Sequence, residues 1–165
     1  MADAYFNLLA RYNAWANERL YAACAALAEG ELKAKRRAFF GSIHATLNHI
    51  LVGDRLWMSR LAGGTLVLPL NKILYEEFAP LRAARRAQDA LLLGLVDGIA
   101  ASRLDEPLHY RNTKGEDFAT PHRLVLGHLF NHQTHHRGQV HDMLSQTAVA
   151  PPELDLIYFV RQAAG

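Results

Sequence analysis

The 165-residue chain contains a single cysteine, Cys24, and so cannot form an internal disulfide. Cys24 lies in an alanine-rich stretch of helical pattern, where a buried structural thiol is a better reading than a nucleophile, and such sparing cysteine use suits a reducing compartment. Long apolar runs are also missing: nothing approaches the roughly 20 residues needed to span a bilayer. The opening "MADAYFNLLARYNAWANERL" carries Asp3, Arg11 and Glu18 within its pattern, unlike the basic and then apolar regions of a signal peptide. These absences predict a cytoplasmic protein with no membrane partner. An excess of one charge is lacking too, since 18 basic and 16 acidic residues leave a formal +2, and no basic run exceeds "KAKRR" at 33–37. That balance predicts no nucleic-acid partner. Internal repeats, heptad arrays and low-complexity tracts are absent, and the length suits one domain over 1–165 with a single core.

What is present is helical period, in four segments. The first, over about 2–28, aligns Tyr5, Leu9, Tyr12, Ala16, Leu20, Ala23 and Leu27, with Gly30 just past its end as a stop. A second starts after Gly41 with Ser42 as N-cap, lines up Ile43, Leu47, Ile50, Trp57 and Leu61, and ends before Gly63 and Gly64. The third, Tyr75 to Ser102, turns Leu81, Ala84, Leu92, Leu95 and Ile99 inward and the basic "RAARR" at 82–86 largely outward as a solvated face. The fourth runs from Thr120, with Thr120 as cap and Pro121 in the first turn, to Ser145. A tail, "PPELDLIYFVRQ", begins a short closing helix at its prolines. Four such helices predict an all-α four-helix bundle. The thirteen-residue connection "AGGTLVLPLNKIL" can reach roughly 40 Å, which permits a crossover and a parallel neighbouring pair. The 104–119 connection centres on "TKGE", which reads as a turn and leaves a small hairpin open.

Histidine is the abundant residue type of interest: "HLFNHQTHHRGQVH" at 128–141 holds five in fourteen positions. On the fourth helix Val125, Leu129, Val140 and Met143 set the inward stripe, and His132 and His136 fall within about 20° of its centre. Two buried imidazoles on adjacent turns need partners for their ring nitrogens, and a divalent cation satisfies both at once. The competing reading is a pair of core histidines bonded to carboxylates or backbone. A zincin-like protease is disfavoured, because Gln133 stands where that motif has its glutamate base. Further ligands must come from another helix, and His44 and His49, both at the shoulders of the second stripe, are equal candidates by geometry. His128 reads as a core-edge imidazole near the site, His135 and His141 as exposed, and His109 and His122 are left without a role. Asp54, on an apolar stripe, is best read as paired with an arginine such as Arg19; the sharper alternative is an orienting partner or base beside a metal. Arg137 reads as exposed, and Gly138 as a point of close helix approach.

"LLARYNAWANERL", "LNHILVGDRLW", "NHQTHHRGQ" and "PPELDLIYFVR" occur in an order that resembles the DinB-like family of damage-inducible bacterial proteins. That family is similar in fold to bacterial thiol-dependent S-transferases and to the metal domain of the mycothiol-dependent maleylpyruvate isomerase, bundles with three histidines around a divalent metal. Carried over by motif, the resemblance implies His49, His132 and His136 as ligands, an up-down-down-up topology and frequent homodimers. Three imidazoles leave a coordination position open. The expectation is then one divalent ion, zinc or nickel, in an enzyme of the thiol S-transferase or hydrolase type acting on a thiol or other small molecule. Asp54, His128 and Gln139 are the supporting candidates. The rival is a non-enzymatic stress-response protein stabilised by its metal.

Overall fold

The structure is a computed structural model that describes residues 4–163. It is all-α apart from one hairpin: α1 (Ala4–Cys24), a short α2 (Glu29–Lys33), α3 (Ile43–Leu61), α4 (Phe78–Gly98), a 3-10 turn (Ala101–Leu104), β1 (Pro107–Arg111), β2 (Asp117–Pro121), α5 (His122–Ser145) and α6 (Leu156–Ala163). The four long helices form the bundle. Contacts between α1 and α4 advance in opposite directions, Asn13 to Asp89 and Glu18 to Arg82. Those between α3 and α5 do the same, His49 to His136 and Trp57 to His128. Contacts between α3 and α4 advance together, Asp54 to Arg85 and Met58 to Gln88, so the 62–77 connection joins a parallel pair.

Local chemistry explains where the boundaries fall. Ser42 caps α3 by accepting from the Ala45 amide at 3.1 Å, and Gly41 (φ +79°) and Gly63 (φ +76°) take the left-handed turns at either side of it. Other boundaries differ from the periodicity. The expected first helix breaks after Cys24, and Gly30 lies inside α2 instead of beyond a helix end; its expected start at residues 2–3 lies outside the described residues. The third helix begins at Phe78, not Tyr75, because Asn48 Oδ1 accepts from the Leu74 and Tyr75 amides (2.8 and 3.0 Å) and holds that stretch outside the helix. Thr120 and Pro121 close β2, so neither a hydroxyl cap nor a first-turn proline starts α5. "TKGE" is indeed the turn of an antiparallel hairpin, with His109 opposite Ala119 and Gly115 at φ +86°. The C-terminal helix starts at Leu156, past the prolines, since Arg19 and Tyr12 donate to the Glu153 and Leu154 carbonyls and keep that segment outside the helix. No helix among the described residues is long and apolar enough to cross a membrane.

Two apolar clusters flank a polar middle. One gathers Leu20, Tyr21, Ile43, Leu47, Leu81 and Met143. The other gathers Ala10, Leu92, Val96, Leu126, Leu129 and Phe130. Tyr5, expected inward, is exposed, whereas Asn13 and Asn17 are buried; the buried stripe of α1 is rotated from the expected one. Cys24 is fully buried, and burial pushes its thiol up to about 12, which keeps it protonated and inert.

Between those clusters lies a buried ionic network. Arg85 donates to Asp54 and, at 2.8 Å, to Asp89; Asn13 and Asn17 also donate to Asp89. Gln133 donates to Asp54, and Arg137 donates to Asn13, to Gln133 Oε1 (3.2 Å) and to Thr134 (3.2 Å) while lying over the Tyr12 ring. This corrects three expectations. Asp54 is paired, but with Arg85; Arg19 is engaged at Glu153 and Trp15. Arg85 of the "RAARR" run is among the largest fully buried side chains, and Arg137 is buried as well. Burial works against the charge on Arg85, but Asp54 and Asp89 outweigh it and raise its pKa.

Candidate metal centre

Beside that network, on an adjoining face of the same turns of α5 and about one turn before Asp54 on α3, His49, His132 and His136 converge into a group that could hold a metal ion. His49 Nε2 lies 3.1 Å from His132 Nε2 and 3.2 Å from His136 Nε2. Tetrahedral coordination with metal–nitrogen bonds of about 2.0–2.1 Å sets ligand nitrogens about 3.3 Å apart, close to the spacing found.

The outer nitrogens fix the tautomers. His49 Nδ1 donates to the Leu70 carbonyl at 2.7 Å, and that carbonyl can only accept. His136 Nδ1 donates to Gln139 Oε1 at 2.8 Å. Each ring has thereby placed its proton on the outside, and two bare Nε2 lone pairs face each other at 3.2 Å. Such an arrangement repels itself unless a cation sits between the nitrogens. A proton is a poor occupant, because burial lowers the pKa of His49 and of His136, and that of His132 falls to about 3 through burial and then the neighbouring imidazoles. The donor set therefore fits a divalent metal.

Packing holds the rings in place. Phe40 stacks on His49 (centroids 3.9 Å apart, 22°) and meets His136 edge-on. A Cβ on Gly53 would stand 2.7 Å from His132 Cε1, so it is here that a glycine allows close approach. Gly138, to which the sequence assigned that part, has nothing within 4 Å of where its Cβ would be. The three histidines line a cleft of about 660 Å³ together with Phe39, Phe40, Leu70, Asn71, His135 and Gln139.

His44 is buried beside Asn48 and takes no part in the group. His49 reaches it from a shoulder position because α3 is covered on nearly every side from Ile43 to Asp54. Gln139 contacts His136 as expected of a supporting residue, whereas Asp54 bonds to Arg85 and Gln133 and to none of the three histidines. His128 packs its ring on Trp57 and lies 5.8 Å from the His132 centroid. His135 is exposed, but His141, expected to be so, is half-buried and donates to the Pro152 carbonyl at 3.1 Å. His122 donates to the Glu106 carbonyl at 2.8 Å, and His109 stands exposed on β1. Sequence reasoning missed Leu70, Phe40 and Gly53. Only Gly53, a glycine inside an apolar helical run, carried a readable signal.

Comparison with known proteins gives the family and the fold. The family model for the DinB family matches residues 1–164. Protein DinB of Bacillus subtilis (strain 168) is 29% identical, with 97% of this chain and 96% of that protein covered. In fold, the chain is similar to the crystal structure of a DinB-like protein from Bacillus cereus ATCC 10987, with a TM-score of 0.64 at 16% identity over 84% of this chain and 90% of that one.

Proposed function

The chain belongs to the DinB family, and from that premise we propose that it is a metal-dependent enzyme of the thiol S-transferase or hydrolase type. Nε2 of His49, His132 and His136 would hold one divalent ion, zinc or nickel. The observation that supports this reading is the facing pair of bare imidazole nitrogens of His49 and His136, whose outer protons are committed to Leu70 and Gln139. When bound, such an ion supplies Lewis acidity that brings the pKa of a thiol or water towards neutrality.

The protein's own contribution is placement. Leu70 and Gln139 keep the two rings neutral and aimed, and Phe40 shields one face of His49 from water. The adjoining cleft, at about 660 Å³, lies within the range that takes a small organic substrate, and Phe39 and Leu70 give it apolar walls.

Metal analysis of protein purified without an affinity tag tests the ligand set. The unaltered chain should carry the ion, and His49→Ala and His132→Ala should lose it; equal metal content in all three would sink the site. A cobalt-loaded sample then separates enzyme from structural protein. Added thiol should change its visible spectrum if a coordination position is open, and a spectrum indifferent to thiols and small anions would favour a closed, metal-stabilised stress protein.

A further inference from the structure

A second cleft, of about 480 Å³, lies between the C-terminal end of α3 and the hairpin, and Arg60 lines it together with Leu66, Val67, Tyr110 and Phe118. Arg60 is 8% exposed, yet among the described residues no carboxylate pairs with it, and its buried Nε has no hydrogen-bond partner. Its guanidinium sits 4.5 Å from the Trp57 ring centroid and 5.3 Å from that of Tyr110. Those ring faces and the negative end of α3 are its compensation. Burial accordingly lowers the Arg60 pKa.

The Arg85 Nε is likewise without a hydrogen-bond partner, but the terminal nitrogens of Arg85 meet two carboxylates and those of Arg137 a set of amide and hydroxyl oxygens, and in that Arg60 differs from both. The carboxylate in the cleft lining, Asp117, is already gripped by Arg111 at 2.9 and 3.2 Å, so the lining retains one unit of uncompensated positive charge. Along the cleft from that charge stand apolar walls: Val67 is 67% exposed and Phe118 44%. Phe118 in turn stacks on Tyr110 (5.8 Å, 20°), which makes the wall flat.

We propose that this cleft binds a small organic anion, its carboxylate or phosphate on Arg60 and its apolar body against Val67, Tyr110 and Phe118. A planar guanidinium held between two rings presents its remaining N–H groups as a fork, which suits a carboxylate or phosphate. The proposal is independent of the histidine site and needs no metal.

The probe is 2-naphthoate, titrated into the intact chain and followed by amide and indole NMR. Saturable binding should move the Trp57 indole N–H and the amides of Val67 and Phe118, leave His49 and His136 unmoved, and be the same after chelator treatment. Arg60→Met, which keeps the aliphatic stem, should weaken binding at least about tenfold. The neutral 2-naphthalenemethanol should bind the unaltered chain about tenfold more weakly than the acid. Equal affinity for acid and alcohol overturns the proposal whether or not Arg60→Met folds. So does the absence of a saturable shift, or a shift map centred on the histidines that vanishes on chelation.

Discussion

The bundle holds two polar clusters side by side, interleaved on adjoining faces of α5, and they are built on opposite principles. In the ionic network Arg85 and Arg137 stand among Asp54 and Asp89, so the four charges cancel and amide groups fill the gaps. In the histidine cluster the hydrogen bonds point outward, to Leu70 and Gln139, and the inward-facing nitrogens meet only one another. One cluster balances its own charges, although Asp54 Oδ1 and Arg85 Nε stay without a hydrogen-bond partner among the described residues, and the other calls for something from outside. Adjacent polar groups in a core can thus be told apart by where their hydrogen bonds are directed, even when both are buried.

The sharpest way to break the contrast is stability. Asp54→Ala leaves the Arg85 charge buried with half its compensation removed and should cost about 3–5 kcal/mol in denaturant unfolding of the metal-free protein. His132→Ala, measured alongside, should cost well under half of that, and equal losses would mean that the histidines are structural in the same sense as the network. Smaller effects probe the outward bonds. Gln139→Leu removes the acceptor that orients His136 and should weaken metal binding by about 10–100-fold in competition with a chelator, with the melting temperature of the metal-free protein nearly unchanged.

Gly53→Ala should lower metal affinity by about tenfold, because the added methyl displaces the His132 ring. The same change should leave metal-free stability equal or slightly higher, alanine being the better helix former. A parallel fall in both would show that Gly53 serves packing and not the site. The smallest expected effect is a pH slope in metal-free protein. Folded His132 titrates at about 3, driven down first by burial, whereas the unfolded residue takes its proton near 6.5. The unfolded state therefore binds more protons between those values, and stability should decline as pH drops from 6.5 towards 3. His132→Ala should flatten that decline, and an unchanged slope would assign it to other groups.

Helical period and turn chemistry were enough to read the four long helices, the Ser42 cap and the hairpin turn, because each depends on neighbours within a few residues. His132 and His136 were legible as a pair for the same reason. The direction of their helix face was read less well. Gln133 and Arg137 occupy the buried centre of α5, and the two histidines lie towards the cleft side. A wheel built on apolar residues cannot find a stripe whose centre is polar, and the same blindness hid Arg85 within a run that resembles a solvated face.

Composition and pattern by themselves determined an all-α bundle, an inert Cys24 and a histidine pair one turn apart on a helix. Only the tertiary structure decided which partner each polar side chain meets. It gave Asp54 to Arg85 and not Arg19, brought the Leu70 carbonyl from the long connection onto His49, and set Arg60 between two rings with no carboxylate partner among the described residues. Hydrogen bonds and ion pairs between residues 20 to 130 positions apart depend on how helices are rotated and staggered against one another, which local period does not specify.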